Sequence, residues 1–367
     1  MMTGAMPGSL TQWQAWLEQL DPSRITPGLD RTREAASRLG LLPLGVPVVL
    51  VAGTNGKGSV CRLLESAILL QSGSTFVYGS PHLVRINERI RINGSDISDT
   101  DLVRCLQRVF SVADAVPLSY FEFTTLAALV MLRYVQPDFA FLEVGLGGRW
   151  DATNIVDPDL CLITSIGLDH QDWLGDTRLA IGMEKAGICR PSVPVIMGDP
   201  DPPEGFVSHL EARASKVCLR GREFDVEPAS GGCRFRTGRQ VLTLNAEPPL
   251  LPDNIATALC ALNLLGRRMP GDQLCRWAME TRLAGRMQDC RQKSTGLMVT
   301  LDVAHNVESV EKLVNRLVAG TGPLRLVIGI LSDKPIDAVI RTLGQLGNRI
   351  EGWWVSDLPG PRGLSAG

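Results

Sequence analysis

The sequence predicts an α/β protein: a large, doubly wound and mostly parallel sheet carrying a small antiparallel subsheet, followed by a smaller α/β domain. Three observations predict it. Short β-branched runs alternate with helical patterns from residue 47 to 198. The stretch "CRFRTGRQVLTL" (233–244) instead alternates apolar and polar residues around a glycine. The strand–helix rhythm then restarts after "TRLAGRMQD" (281–289).

In chain order, "PVVLVAG" (47–53), "STFVYG" (74–79), "DFAFLEV" (138–144), "DLCLITSI" (159–166) and "VPVIMG" (193–198) are apolar enough to be strands buried on both faces, as in a parallel sheet. Helical periodicity lies between most of them, at 59–71, 101–113, 123–135 and 177–186. The 233–244 stretch reads as a hairpin of the antiparallel subsheet. "NIATALCALNLLG" (254–266) is a further helix, with Asn254 placed to cap it. Domain boundaries are set at 1–281 and 282–367. In the second domain "LMVTLDVAHN" is strand then loop. "VESVEKLVNRLVAG" is a helix with Val310, Leu313, Val314 and Leu317 on one face, and "LRLVIGIL" and "GWWVS" are strands. This smaller domain reads as Rossmann-like, and as incomplete because no closing helix or strand follows "GWWVS" before "LPGPRGLSAG".

Bulk properties exclude several function classes. The 367 residues are 44% hydrophobic and 21% charged with a net charge of −2, which gives no electrostatic case for nucleic acid or membrane partners. The nine cysteines are scattered without a C-x-x-C pair, so a reduced cytoplasmic chain is expected. The N-terminal stretch lacks a basic and an apolar region, so no signal peptide is read there.

The chemistry starts at "VAGTNGKGSV" (51–60). Gly53, Gly56 and Gly58 lie between a strand and a helix, where backbone N–H groups and the helix dipole favour phosphate. Lys57 can reach β- and γ-phosphates, and Ser59 can hold Mg²⁺. The spacing differs from the common G-x-x-x-x-G-K-[ST] loop, because Gly58 rather than a hydroxyl follows Lys57. Ser80, Glu143 and His170 follow or end three strands, the edge of a doubly wound sheet where ligands bind. Singly they read as a helix cap, a surface charge and a packed loop residue; together, beside one phosphate loop, they read as ligands for Mg²⁺. Asp302 and His305 in "DVAHN" stand at a strand end of the second domain and could face a nucleotide, whereas His209 reads as a solvated helix residue.

The stretches "VAGTNGKGS", "YGSPHLVRINERIRING", "YFEFTTLAAL", "LEVGLGGRWDATNIVDPDLCLITSIGLDHQDWLG", "IGMEKAGI", "GRMQ" and "DVAHN" resemble the bacterial dihydrofolate synthase/folylpolyglutamate synthases of the Mur ligase superfamily, from about Trp13 onward. The resemblance implies an ATP-dependent ligase that joins L-glutamate to dihydropteroate and to folates through an acyl phosphate. It implies ATP contacts at Thr54, Asn55, Gly56, Lys57, Gly58, Ser59, Asn254, Arg286 and Asp302, with His305 beside them. It implies two Mg²⁺ ions on Ser59, Ser80, Glu143, His170 and a CO₂-derived carbamate on Lys185, with Lys57, His170 and Lys185 as the catalytic set. An ammonium has donors only, so an unmodified lysine there reads as an ordinary helix residue. The pterin substrate would meet Thr26, Pro27, Gly28 and Leu29, then Ser119, Tyr120, Phe121 and Glu122, then Trp150, Asp151 and Ala152, where Trp150 stands in place of the usual Leu. Tyr120 and Phe121 can stack on a flat pterin, and Phe123 reads equally as core. A cytoplasmic monomer is expected. The family continues past "GPRG" with further elements, so weak ATP binding through the first domain and poor ligation are expected of this chain. A peptidoglycan-type ligase would need an N-terminal UDP-binding domain before the phosphate loop; an ATP-binding module without turnover is the other reading.

Overall fold

The computed structural model describes residues 6–20, 28–358, 360, 363 and 364. Its chain divides into two compact units, Met1–Ile166 with Arg178–Leu283, and Gly167–Thr177 with Ala284–Gly367.

The first unit is built on an eight-stranded sheet. Its strands are β1 (Val48–Ala52), β2 (Thr75–Tyr78), β3 (Ile90–Ile92), β4 (Ser95–Asp96), β5 (Phe139–Glu143), β6 (Leu160–Ile163), β7 (Pro194–Met197) and β8 (Lys216–Leu219), in the spatial order β4-β3-β2-β5-β1-β6-β7-β8. All pairs are parallel except β2–β3 and β3–β4. β1 is the centre: Val49 pairs with Phe141 on one side and Leu160 on the other, and all five of its residues are buried. Such a strand has no solvent face, which is why its sequence is a continuous apolar run. The helix Lys57–Leu70 packs on β1, β2 and β5 and against the helix Pro252–Leu264. Val49, Val51, Leu63, Leu64, Phe141, Leu162, Leu259 and Trp277 share this core.

The five strands read from the sequence are present. The β3–β4 hairpin and β8 were not read. The hairpin turns at Asn93 and Gly94, with φ of 50° and 83°, the Asn-Gly signal of a tight hairpin in "RINGSD". The antiparallel subsheet has three strands, β9 (Phe224–Ala229), β10 (Gly232–Thr237) and β11 (Gln240–Leu244), in the order β11-β10-β9. One reading is corrected. The cap of the helix Pro252–Leu264 is Leu251, with Pro252 opening the first turn, so Asn254 lies inside the helix and is buried. Proline fits that first position because its missing N–H would be unpaired there in any case. Phe123 is core, packed with Trp13 and Trp16.

The second unit holds two small sheets. β12 (Gln288–Arg291) pairs antiparallel with β13 (Met298–Leu301), and β14 (Leu324–Ile328) pairs parallel with β15 (Ile350–Val355). Val310 and Val314 of the helix Val307–Val318 meet Val339 and Leu343 of the helix Ile336–Gly344, with Leu313, Leu317, Leu326 and Ile350 packed around them. Trp353 and Trp354 are exposed. Among the described residues no helix is long and apolar enough to cross a membrane, and the nine cysteines are free thiols.

Candidate nucleotide and metal site

At the carboxyl end of β1 the chain turns through Gly53 (φ 147°) and Gly56 (φ 90°) into the helix Lys57–Leu70. A side chain fits at neither glycine. A Cβ on Gly53 would meet the Thr164 hydroxyl, and one on Gly56 the side-chain amide of Asn254. Gly56 is the helix cap and offers no side-chain acceptor, so the N–H groups of the first turn are open to an anion. The Lys57 ammonium donates to the carbonyls of Gly53 (2.9 Å) and Thr54 (3.2 Å), which holds it across the loop.

β5 pairs with β1 and β2 with β5 on one side, and their ends bring Glu143 and Ser80 to this loop. Glu143 is buried, and Ser80 N donates to its Oε2 at 3.3 Å. The same carboxylate lies 2.8 Å from where a Cβ of Gly79 would stand, so only glycine lets the backbone come this close there, and 3.4 Å from that of Gly58, ordinary contact distance. Ser59 is buried in the next position of the helix. Lys185 ends the helix Arg178–Lys185 and is 3% exposed, with its carbonyl packed on Gly148 of the "GLGGRWD" loop. His170 belongs to the second unit, at φ 52°, with its N–H donating to Asp169. Among the described residues no three His, Cys, Asp or Glu side chains form a metal cluster.

The residues assigned to the pterin divide by what already occupies them. Thr26 and Pro27 lie outside the described residues; Gly28 has φ 142° and Leu29 is buried. Ser119 caps the helix Tyr120–Val135. Glu122 accepts from Ser119 N (2.7 Å), Thr32 Oγ1 (3.0 Å) and Arg31 Nη2 (3.2 Å), so its carboxylate ties this helix to Asp30–Leu39. Asp151 accepts from Gly145 N, Leu146 N, Thr153 N and Thr153 Oγ1, and its burial raises the carboxyl pKa despite those bonds. Both acids brace local structure. Ala152 is buried, while Trp150 is 53% exposed. Phe121 lies over Gly145, where a Cβ would stand 2.6 Å from the ring, and Tyr120 lies under the Arg89 guanidinium at 5.3 Å.

In the second unit, Asp302 accepts from Met287 N (2.9 Å) and Ala304 N (2.8 Å), which fixes the turn after β13 beside Arg286. The His305 ring meets Val303 O through Nδ1 at 2.8 Å and Asp169 through Nε2 at 3.4 Å. Asp169 also receives Lys334 Nζ (2.7 Å) and Asn306 Nδ2 (3.2 Å). Burial alone would raise the Asp169 carboxyl; hydrogen bonds from His305 and Lys334 outweigh it and hold the group well below the usual carboxylate range. Sequence reasoning passed over Asp169 and Lys334, whose only signal was that Asp169 adjoins His170 in "LDHQD".

No family model matches the chain. The dihydrofolate synthase/folylpolyglutamate synthase of Escherichia coli (strain K12) is 39% identical over 360 residues, which span 97% of this chain and 84% of that protein. The structure of the E. coli enzyme FolC in complex with DHPP and ADP aligns with a TM-score of 0.91 at 37% identity, covering 99% of this chain and 87% of that one. A bifunctional folylpolyglutamate synthase/dihydrofolate synthase with Mn, AMPPNP and L-glutamate bound aligns with a TM-score of 0.87 at 38% identity, with the same coverage. The chain therefore belongs to the dihydrofolate synthase/folylpolyglutamate synthase family and is an ATP-dependent ligase of folate metabolism.

Proposed function

We propose that this ligase activates the carboxylate of dihydropteroate, or of a folate's glutamate tail, with ATP and delivers it to the amine of L-glutamate. A carboxylate is a poor electrophile because its charge repels a nucleophile. Transfer of the γ-phosphoryl makes it an acyl phosphate; the glutamate amine attacks the carbonyl and inorganic phosphate leaves with the C–O bond electrons. Catalysis of this kind rests on positioning and charge neutralisation. The observation that carries the reading is the phosphate loop with Lys57 at its mouth and the buried Glu143 carboxylate against its helix, beside Ser80.

Thr54, Asn55, Gly56, Lys57, Gly58 and Ser59 grip the triphosphate, with Asn254 packed on Gly56. Arg286, Asp302 and His305 are the nucleotide contacts of the smaller C-terminal ligase domain. Ser59, Ser80, Glu143 and His170 are hard or borderline donors suited to Mg²⁺, few enough to leave phosphate oxygens the remaining positions. The metal, when bound, neutralises charge developing on the phosphates. Lys185, buried at a helix end, joins the ligand set as a carbamate, which converts a donor-only ammonium into an oxygen ligand. The exposed Trp150 and the rings of Tyr120 and Phe121 are the flat surfaces for the pterin, alongside the 26–29 segment; Ser119, Glu122, Asp151 and Ala152 set their backbone. The chain acts as a cytoplasmic monomer on small molecules, without nucleic acid or membrane; its free thiols support the reducing compartment.

Lys57→Ala tests the reading. Loss of one preorganised charge contact costs about 3 kcal/mol, about a hundredfold in turnover. Wild-type turnover by a folded Lys57→Ala chain would remove the phosphate-loop assignment.

A further inference from the structure

We propose that Thr164 and Ser165, at the end of β6, are positioning residues for the nucleotide: their hydroxyls fix two successive peptide planes of the phosphate loop. The inference rests on the nucleotide reading of that loop and adds the residues that shape it.

The β1–β6 pairing does not stop where the strands do. Thr164 N donates to Ala52 O (2.9 Å), and Thr54 N donates to Ser165 O (2.9 Å), so the rising limb of the loop is laid along Thr164–Ser165. The two side chains then converge on one residue, Asn55. Its N–H donates to Ser165 Oγ at 2.9 Å. Its carbonyl accepts from Thr164 Oγ1 at 2.6 Å and from Ser165 Oγ at 3.1 Å. Thr164 Oγ1 also reaches Ala52 O at 3.3 Å and occupies the space where a side chain of Gly53 would lie.

Peptide units are planar and trans, so the N–H and C=O of one unit point in opposite directions. Two consequences follow from pinning both backbone groups of Asn55. Because its N–H is held by Ser165, the Thr54 carbonyl of the same unit points the other way, and that carbonyl is the one that accepts from Lys57 Nζ at 3.2 Å. Because the Asn55 carbonyl is held inward by two hydroxyls, the Gly56 N–H of that unit points outward, with the open first turn of the helix that follows. The clamp therefore turns an oxygen away from an incoming anion and an N–H toward it, and it sets the carbonyl that steadies Lys57. Gly56 has φ 90° and Gly53 φ 147°, so the loop is permissive by composition, and an outside clamp is what selects one arrangement. Neither hydroxyl touches the nucleotide; both act through the backbone of Asn55.

The test measures AMPPNP affinity by calorimetry, with KM for glutamate and a thermal melt, for Ser165→Ala, Thr164→Val and the pair. Each lost hydrogen bond is expected to weaken AMPPNP by about two- to tenfold. The pair should lose less than the product of the single effects, because the hydroxyls share one acceptor. KM for glutamate should stay near wild type, the melting temperature should fall by no more than about 3 °C per lost hydrogen bond, and Ser165→Thr, which keeps the hydroxyl, should keep affinity. Wild-type AMPPNP affinity in a folded Ser165→Ala/Thr164→Val chain overturns the clamp, as does an equal loss in Ser165→Thr. If the pair does not fold, the folded Ser165→Ala chain decides by the same comparison. Lys57→Ala, run beside them, separates the two claims: if it keeps full turnover the nucleotide reading fails, and if it is inactive while the clamp variants bind normally, only the clamp fails.

Discussion

Replacing Gly56 by alanine perturbs the phosphate loop at one atom, and the structure gives the size of the effect. Two costs add. An L-residue at φ 90° leaves its allowed region, which costs about 1 kcal/mol. The new Cβ also meets the side-chain amide of Asn254, which is buried and must be displaced, an overpacking cost of about 2 kcal/mol. Gly205 supplies the comparison: its φ is 78°, but a Cβ there would have nothing within 4 Å. Gly205→Ala should therefore pay the backbone cost alone and melt about 3 °C lower, and Gly56→Ala about 9 °C lower, at about 3 °C per kcal/mol for a domain of this size. In calorimetry Gly56→Ala should also bind AMPPNP at least about tenfold more weakly, while Gly205→Ala binds normally. A double-mutant cycle with Asn254→Ala should recover about 2 kcal/mol of stability, because the obstructing amide is gone. Equal melting shifts for the two glycines, no coupling to Asn254, or unchanged AMPPNP binding by Gly56→Ala would refute the packing of Asn254 on the loop.

Three further outcomes are expected. Glu65 is fully buried and accepts from Arg62 at 2.6 Å, Arg91 at 3.2 Å and Gly94 N at 3.1 Å, so Glu65→Ala removes a shared buried acceptor and should lower the melting temperature by about 10 °C in scanning calorimetry; a shift under about 2 °C would contradict this. Asp169→Asn and Lys334→Met each break a pair whose side chains are 9% and 6% exposed; each should destabilise the second unit by about 3 kcal/mol, and the double change should cost less than the sum, read by denaturant titration. Mass analysis of the active, metal-bound enzyme under bicarbonate should find Lys185 heavier by a carbamate, and Lys185→Ala should lose turnover that added short-chain carboxylic acids partly restore; a fully active enzyme with only unmodified lysine would end that assignment.

The parallel core was legible because strands buried on both faces cannot hide their composition: β1, β5 and β6 are nearly unbroken apolar runs. The adjacency of Ser80 and Glu143 could be inferred for the same reason, since both mark the carboxyl ends of such strands. Shorter elements carried less signal. β3 has three residues and β4 two, and their turn was announced only by "NG". The start of the helix Pro252–Leu264 was misread because Asn254 is a good cap by type, while Pro252 two places earlier sets the true first turn. Glu122 and Asp151 stand among motif residues, yet their carboxylates are taken up by backbone and side-chain donors, which no local pattern discloses. The Asp169–Lys334 pair joins residues 165 apart in the chain, and the clamp on Asn55 joins residues 110 apart; such contacts exist only once the fold does.

The most direct measurement is release of inorganic phosphate from ATP by this chain, with L-glutamate and dihydropteroate supplied together and each withheld in turn. Release is expected only when both are present, stoichiometric with the new amide bond and about a hundredfold slower in Lys57→Ala. Release that ignores either substrate, or ligation undiminished in Lys57→Ala, would contradict this.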